Sequence, residues 1–172
     1  MIDFPKLSQL PADANVWLYA ASRQLTQVEC GLVEARLSRF VDGWSSHGRS
    51  VLGMSEIAEG RILAMGAVVP NGDISGCGID KSAHVLDEIG REMGVEWLAG
   101  LSIAFRDRDG AIQVTDRPTF RKLVKANQVG QDTTVIDLSV VRVAEMESGL
   151  EKRLGDSWHG TVFGLTADKS LA

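Results

Sequence analysis

The stretch Val16-Trp17-Leu18-Tyr19-Ala20, followed after a short break by Thr26-Gln27-Val28-Glu29, decides how the chain begins to fold. The first segment is rich in β-branched and aromatic residues, which favours a strand. The second has the S/T-x-x-E form of a capping box, in which each side chain satisfies a free backbone N–H of the other. Apolar residues then recur at helical spacing as far as Trp44. A strand followed by a capped helix is therefore predicted, with Gly48 as the stop signal.

A β-hairpin and a second helix follow. Residues 50–57 and 61–69 are β-prone, and Glu59-Gly60 between them is a turn sequence. The second helix is predicted from about Asp80 to Met93, because apolar residues again recur at helical spacing there. Asp80 is the expected N-cap, since its carboxylate can accept a hydrogen bond from a free N–H of the first turn. Gly94 is expected to end this helix.

Leu101 to Arg106 is predicted as a fourth strand, which completes the order β-α-β-β-α-β. That order is typical of the ferredoxin-like, split βαβ fold, in which two helices lie on one face of an antiparallel sheet. Residues 111–114, 118–124 and 133–138 predict a C-terminal β-α-β extension, and 145–154 favour a further helix. The predicted fold class is therefore α+β.

The length of 172 residues suits one domain. Residues 15–165 are interpreted as a single α+β domain. Residues 1–14, with two prolines and two aspartates, are expected to be a loose lead-in. Residues 166–172 are expected to be a frayed tail.

The charge balance limits the classes of partner. There are 18 basic and 23 acidic residues, so the net charge is −5, and we predict no nucleic-acid partner because such partners need a basic face. No apolar run approaches a membrane span, and no secretory leader pattern is visible, so we expect no membrane partner. Cys30 and Cys77 are not in a C-x-x-C arrangement, and the simplest location is the cytoplasm with both thiols reduced.

The most informative segment for function is Ser75-Gly76-Cys77-Gly78-Ile79-Asp80-Lys81-Ser82, at the expected start of the second helix. Backbone N–H groups at a helix start can bind an anion or favour a thiolate. Gly76, Gly78, Lys81 and Ser82 are therefore candidate ligand-binding residues, and Cys77 is a candidate nucleophile. The alternative is structural: the glycines form a tight turn, Asp80 caps the helix, and Cys77 packs as a small apolar residue.

Nucleotide hydrolysis is excluded by the same segment. A phosphate-binding loop needs glycine immediately before the lysine, and Asp80 stands there instead. A carboxylate at that place repels the phosphates that the loop must hold. Ser75 also replaces the first glycine, and no G-x-G-x-x-G sequence follows a strand.

Two further residues are candidates for the same site. His159, in Ser157-Trp158-His159, could act as a base for Cys77 if the chain folds back, although a Trp-His pair also suits the edge of a core. Arg23, just after the first strand, could line a ligand pocket or be a solvated loop residue. The three histidines and two cysteines have no metal-ligand spacing, so we predict no metal site and no cofactor.

Several segments together resemble a family of small uncharacterised bacterial proteins, some of which are labelled ABC transporter ATPases. The segments that carry the resemblance are Val16-Trp17-Leu18-Tyr19, Arg23-Gln24-Leu25-Thr26, Trp44-Ser45-Ser46-His47-Gly48, Gly76 to Ser82 and Ser157-Trp158-His159. Serine usually follows the cysteine in these proteins, whereas this chain has Gly78 and lacks that hydroxyl. The resemblance implies no established activity, and the failed phosphate-loop comparison does not support the ATPase label.

Two hypotheses follow for the function. The first is a non-catalytic binding or interaction module that holds a small anionic ligand or a protein partner near the Gly76–Ser82 turn, with Arg23 close by. The second is a thiol-dependent enzyme with Cys77 as nucleophile, Asp80 beside it and His159 or His47 as base. An exposed sheet face or edge would also favour a homodimer.

Overall fold

Ten strands and five helices follow one another in the computed structural model, which describes residues 1–166. The strands are β1 (Asn15–Ala21), β2 (Ser45–Ser46), β3 (Arg49–Ser50), β4 (Leu52–Ala58), β5 (Ile62–Val68), β6 (Trp97–Leu98), β7 (Ile103–Arg106), β8 (Ile112–Thr115), β9 (Thr134–Ile136) and β10 (Glu151–Arg153). The helices are α1 (Gln27–Asp42), α2 (Gly76–Met93), α3 (Arg117–Lys125), α4 (Val143–Glu147) and α5 (Trp158–Phe163). Mixed helix and antiparallel sheet confirm the α+β class.

The first sheet has the strand order β4-β5-β1-β6, and all its pairs are antiparallel. Its strands alternate, so β1 sends Trp17 and Tyr19 to one face and Val16 and Leu18 to the other. Apolar residues of α1 and α2 cover the face that carries Trp17. The sheet thus has one face under two helices and one face free to meet another layer.

That second face packs on a second antiparallel sheet, of order β10-β9-β7-β8. Val16 and Leu18 share one buried cluster with Ala104 and Ile136 of the second sheet. The outer face of the second sheet packs Phe105 and Val135 against residues of α3 and α5. The described residues therefore form four layers: helices, sheet, sheet, helices.

The predicted fourth strand was assigned to the wrong sheet. Leu101 to Arg106 contains β7, which lies in the second sheet, and the two-residue β6 takes the place beside β1. Both faces of β7 are buried, with Ala104 against one core and Phe105 against another. A strand as short as Trp97–Leu98 has no periodicity to recognise, which is why the sequence pattern pointed to the longer segment.

The prediction of a loose lead-in over residues 1–14 was wrong. Five apolar side chains of this segment are buried in the cluster between the sheets: Ile2, Phe4, Leu7, Leu10 and Ala14. Their spacing matches neither a strand nor a helix, because the segment follows an irregular path with only a short 3-10 turn at Leu7–Gln9. The burial shows that the segment is a component of the core.

Other boundaries differ less. The capping box at Thr26 is confirmed, but α1 ends at Asp42, well before Gly48. Gly94 ends α2 with φ +62°, as expected. The helix predicted over 145–154 was wrong, because that stretch divides between α4 and β10. Beyond Thr166, the predicted tail lies outside the described residues, and the single-domain interpretation stays a prediction.

Candidate functional site

The Gly76–Ser82 segment forms about the first two turns of α2 and is not a loop before it. Ser75 is the N-cap, and its Oγ accepts a hydrogen bond from the Gly78 N–H at 3.2 Å. Asp80 was expected to be the cap and instead lies inside the helix with an exposed side chain. Serine and aspartate cap helices about equally well, so the contact of Ser75 with a distant segment decides between them.

That distant segment is the small hairpin of β2 and β3. The Oγ of Ser46 lies 2.7 Å from the Oγ of Ser75 and accepts a hydrogen bond from the Ser75 N–H at 3.0 Å. Trp44 Nε1 donates to the Gly78 carbonyl at 2.9 Å, and Lys81 Nζ donates to the Ser45 carbonyl at 3.0 Å. The hairpin is thus held against the start of α2 by contacts that include Lys81, whose side chain was expected to hold a ligand.

The remaining turn residues are also used within the chain. A Cβ on Gly78 would lie 3.0 Å from Ile74 and 3.2 Å from Ser46, so this glycine permits close packing of the hairpin. Ser82 is buried and donates to the Ile79 carbonyl at 2.6 Å. Gly76 has open space around its Cα. The turn therefore offers a ligand few free polar groups.

Cys77 and His159 lie in opposite outer layers of the molecule. Cys77 is exposed on α2, outside the first sheet, whereas His159 belongs to α5, outside the second sheet. Both sheets separate them, so His159 is not placed as a base for Cys77. His47 is exposed at the tip of the β2–β3 hairpin, with φ +49°.

Arg23 has a structural partner. Its guanidinium forms a two-pronged ion pair with Glu29, at 2.7 and 3.1 Å, and donates to the Met93 carbonyl at 2.8 Å. The hydrogen bond from Arg23, followed by that from the Thr26 N–H, lowers the pKa of Glu29 to about 2. Arg23 thus joins the start of α1 to the end of α2, and this contact occupies the donors expected to meet a ligand.

A polar cluster that the sequence did not predict surrounds Asp137. This residue is buried and follows β9, and its Oδ1 accepts hydrogen bonds from Ser139 Oγ at 2.5 Å and Trp158 Nε1 at 3.1 Å. Burial acts to raise the pKa of Asp137, but these hydrogen bonds hold it below its ordinary value. Lys152 Nζ lies 3.8 Å from the second carboxylate oxygen. Asp137 is therefore an ionised anchor for the Ser157-Trp158-His159 segment.

His159 is sealed beside this cluster. Its side chain is 1 % exposed, its ring stacks on Trp158 with centroids 3.8 Å apart, and its Nδ1 has no partner among the described residues. Burial lowers the pKa of His159 to about 4; the charge of Asp137 opposes this shift, and those of Arg117 and Lys152 add to it. The imidazole is neutral near pH 7 and closed to solvent, as the structural interpretation of the Trp-His pair requires.

An open cleft of about 660 Å³ lies on the outer side of the second sheet, between β8 and α3. Phe105, Leu123 and Val129 form its apolar floor. Polar side chains surround the opening: Asp107, Arg108, Asp109, Gln113, Thr115 and Gln128. The apolar floor can bury part of a small molecule, and the polar groups at the edge can orient it.

Some of these polar groups are used internally, whereas others are free. Asp107 accepts hydrogen bonds from the N–H groups of Asp109 and Ala111 and from Gln113 Nε2 at 2.7 Å, which stiffens the β7–β8 turn. Within residues 1–166, the side chains of Thr115 and Gln128 have no hydrogen-bond partner. These two are available to a bound molecule.

Comparisons with known proteins give no match: no family model, no curated protein and no solved structure is similar to this chain. Within residues 1–166, every helix is too short or too polar to span a lipid bilayer. The same residues contain no group of three or more His, Cys, Asp or Glu side chains placed to hold a metal ion.

Proposed function

We propose that the protein is a non-catalytic binding or interaction module and that its ligand site is the cleft between β8 and α3. The observation that carries this proposal is the cleft itself, about 660 Å³ with an apolar floor. The Gly76–Ser82 turn supports a ligand site less well, because Lys81, Ser82 and Gly78 already contact the chain. The proposal therefore keeps the class of function inferred from the sequence and changes the location of the site.

The surroundings of the cleft favour a small molecule with an apolar body and a polar end. Phe105 packs edge-on against the buried Phe120, with ring centroids 5.2 Å apart, so its ring is held in place at the floor of the cleft. Thr115 and Gln128 can each donate and accept a hydrogen bond. A bound molecule would gain burial on the aromatic floor and orientation from these two side chains.

Amide chemical-shift mapping tests this site. The probes are small carboxylic acids, phosphate esters and aromatic amides, each titrated separately into the full chain. We expect at least one to shift the amides of Phe105, Gln113 and Thr115 in a saturable manner. The substitution Thr115→Trp should abolish those shifts, since the indole would fill the cleft.

The matched control is Ser38→Trp, at an exposed position of α1 on the opposite side of the molecule. It should leave the shifts unchanged. The proposal is wrong if no probe shifts the cleft amides, or if the shifts persist in the Thr115→Trp variant.

The alternative is a thiol-dependent enzyme, which the exposure of Cys77 on the first turn of α2 favours. Cys30 is half-buried, and burial raises the pKa of its thiol, so it serves as an internal reference. Iodoacetamide alkylation across pH, followed for each cysteine by mass spectrometry, separates the two functions. Rapid reaction of Cys77 near pH 6 would support the enzyme, and its absence would support the binding module.

We also propose that the first sheet with α1 and α2 is a ferredoxin-like unit. Support comes from the antiparallel order β4-β5-β1-β6, in which β6 rather than β7 is the fourth strand. A cytoplasmic location and membership of the family of small bacterial proteins belong to the same proposal. The free edges of β4 and β8 support a homodimer, which sedimentation at several protein concentrations would detect.

A further inference from the structure

Arg61 is a buried arginine in the turn that joins β4 to β5. Its side chain is only 7 % exposed. The turn itself is well held: the Arg61 N–H donates to the Ala58 carbonyl at 3.0 Å, and the Arg61 carbonyl accepts from the Ala21 N–H at 2.8 Å. These backbone hydrogen bonds fix the position of the residue, but they do not explain why its guanidinium is buried.

The guanidinium has no counter-ion among residues 1–166. Arg23, Arg36 and Arg106 each lie within 3 Å of a carboxylate oxygen, whereas no described carboxylate lies within 4 Å of Arg61. The Nε of Arg61 is sealed from solvent and has no hydrogen-bond partner within that same range of residues. Burial without a counter-charge lowers the pKa of Arg61. Because Nε is the only guanidinium nitrogen that is sealed and the terminal nitrogens have no partner in the described chain, those nitrogens remain free to bind a partner from outside it.

A second unsatisfied donor lies close by in the sheet. Ala21 pairs on one side with Arg61, through its N–H, and on the other side with Trp97 of β6. The Nε1 of Trp97 is also sealed, and no described residue accepts a hydrogen bond from it. Leu63 faces α1 and α2, and strand alternation places Arg61, two residues earlier, on that same side. This end of the first sheet therefore carries two sealed side-chain donors, Arg61 Nε and Trp97 Nε1, that have no hydrogen-bond partner in the described chain.

We propose that Arg61 is the binding residue for an oxyanion, a carboxylate or a phosphate group, which docks on its terminal nitrogens. Nε is the one guanidinium nitrogen that is both sealed and unpaired in the described chain, so the two Nη atoms are the side from which a ligand can approach. A guanidinium presents its N–H groups in a planar fork that matches two oxygens of such a group. The site is separate from the cleft beside β8 and does not depend on it.

Thermal unfolding of the full chain in different salts tests this site. Sodium chloride, sodium acetate and sodium phosphate are compared at equal ionic strength, so that screening alone changes nothing. We expect acetate or phosphate to raise the Tm of the natural chain in a saturable manner, by about 5 to 10 °C at 100 times its Kd. The two salts distinguish a carboxylate ligand from a phosphate ligand.

The variant Arg61→Met makes the test decisive. In chloride it should unfold at a higher temperature than the natural chain, because it removes the sealed, unpaired Nε donor and a partly desolvated charge and keeps the apolar stem. It should also lose the response to acetate and phosphate. The matched control, Arg39→Met, changes an exposed arginine of α1 and should keep that response.

Two results would overturn the proposal. One is a lower Tm for Arg61→Met in chloride, which would mean that the guanidinium already makes favourable contacts without an added oxyanion. The other is equal stabilisation of both chains by the oxyanions, which would mean binding elsewhere. If the variant fails to fold, the Arg61 Nε resonance of the natural chain decides: it must shift during the titration with acetate or phosphate.

Discussion

At the scale of single residues, burial separates His159 from the other two histidines. His47 and His84 are exposed, whereas His159 is sealed against Trp158. This sealed imidazole, whose Nδ1 has no partner among the described residues, resists protonation, because the cation would lose more hydration than the charge of Asp137 restores. The proton-binding equilibrium of this residue is therefore coupled to folding.

The first prediction concerns the pH dependence of stability. The pKa of His159 is about 4 in the folded chain and about 6.5 when unfolded, so the unfolded chain binds more protons between these values. Stability is fully present above pH 6.5 and falls as the pH drops toward 4. We expect a loss of about 2 to 3 kcal/mol from this group, measured by urea unfolding at a series of pH values.

The control for that measurement is His159→Phe, which keeps an aromatic ring against Trp158 and removes the titrating group. Carboxylates also titrate near pH 4, so the informative quantity is the difference between the two chains. If the free energy of unfolding varied with pH in the same way for the natural chain and the variant, the burial of the imidazole would be contradicted.

At the scale of elements, the ends of helices show how far sequence reasoning reaches. The capping box of α1 is local, because Thr26 and Glu29 satisfy each other without help from elsewhere, and it was predictable. The cap of α2 is not local. Both Ser75 and Asp80 were available, and the contact with Ser46, 29 residues away, favours Ser75. The lack of a carboxylate partner for Arg61 was unpredictable for the same reason, because it depends on the position of every carboxylate in the folded chain.

The second prediction compares the two candidate caps of α2. Ser75→Ala should lower the free energy of unfolding by about 1 to 2 kcal/mol, because it removes both the cap on Gly78 and the contact with Ser46. Asp80→Ala should change stability little, since that side chain is exposed. Urea unfolding of both variants gives the comparison. A larger loss of stability for Asp80→Ala than for Ser75→Ala would mean that Asp80 is the N-cap.

At the scale of the whole molecule, the two sheets and the N-terminal segment share one core. Phe4 and Leu7 lie in the same buried cluster as Leu18 of the first sheet and Ile136 of the second. The segment 1–14 therefore fills space that neither sheet fills alone. Composition could not reveal this, because scattered apolar residues between prolines have no period to recognise.

The third prediction follows from that shared core. Phe4 is 1 % exposed, so Phe4→Ala should leave a cavity between the sheets and lower the free energy of unfolding by about 3 to 5 kcal/mol. Leu101→Ala, at a residue 80 % exposed, is the control and should have little effect. Hydrogen exchange should show faster exchange of the amides in both β1 and β9, because the cavity touches both sheets. Faster exchange in one sheet alone would mean that the two sheets unfold independently. An unchanged free energy of unfolding in the Phe4→Ala variant would mean that the segment contributes nothing to the core.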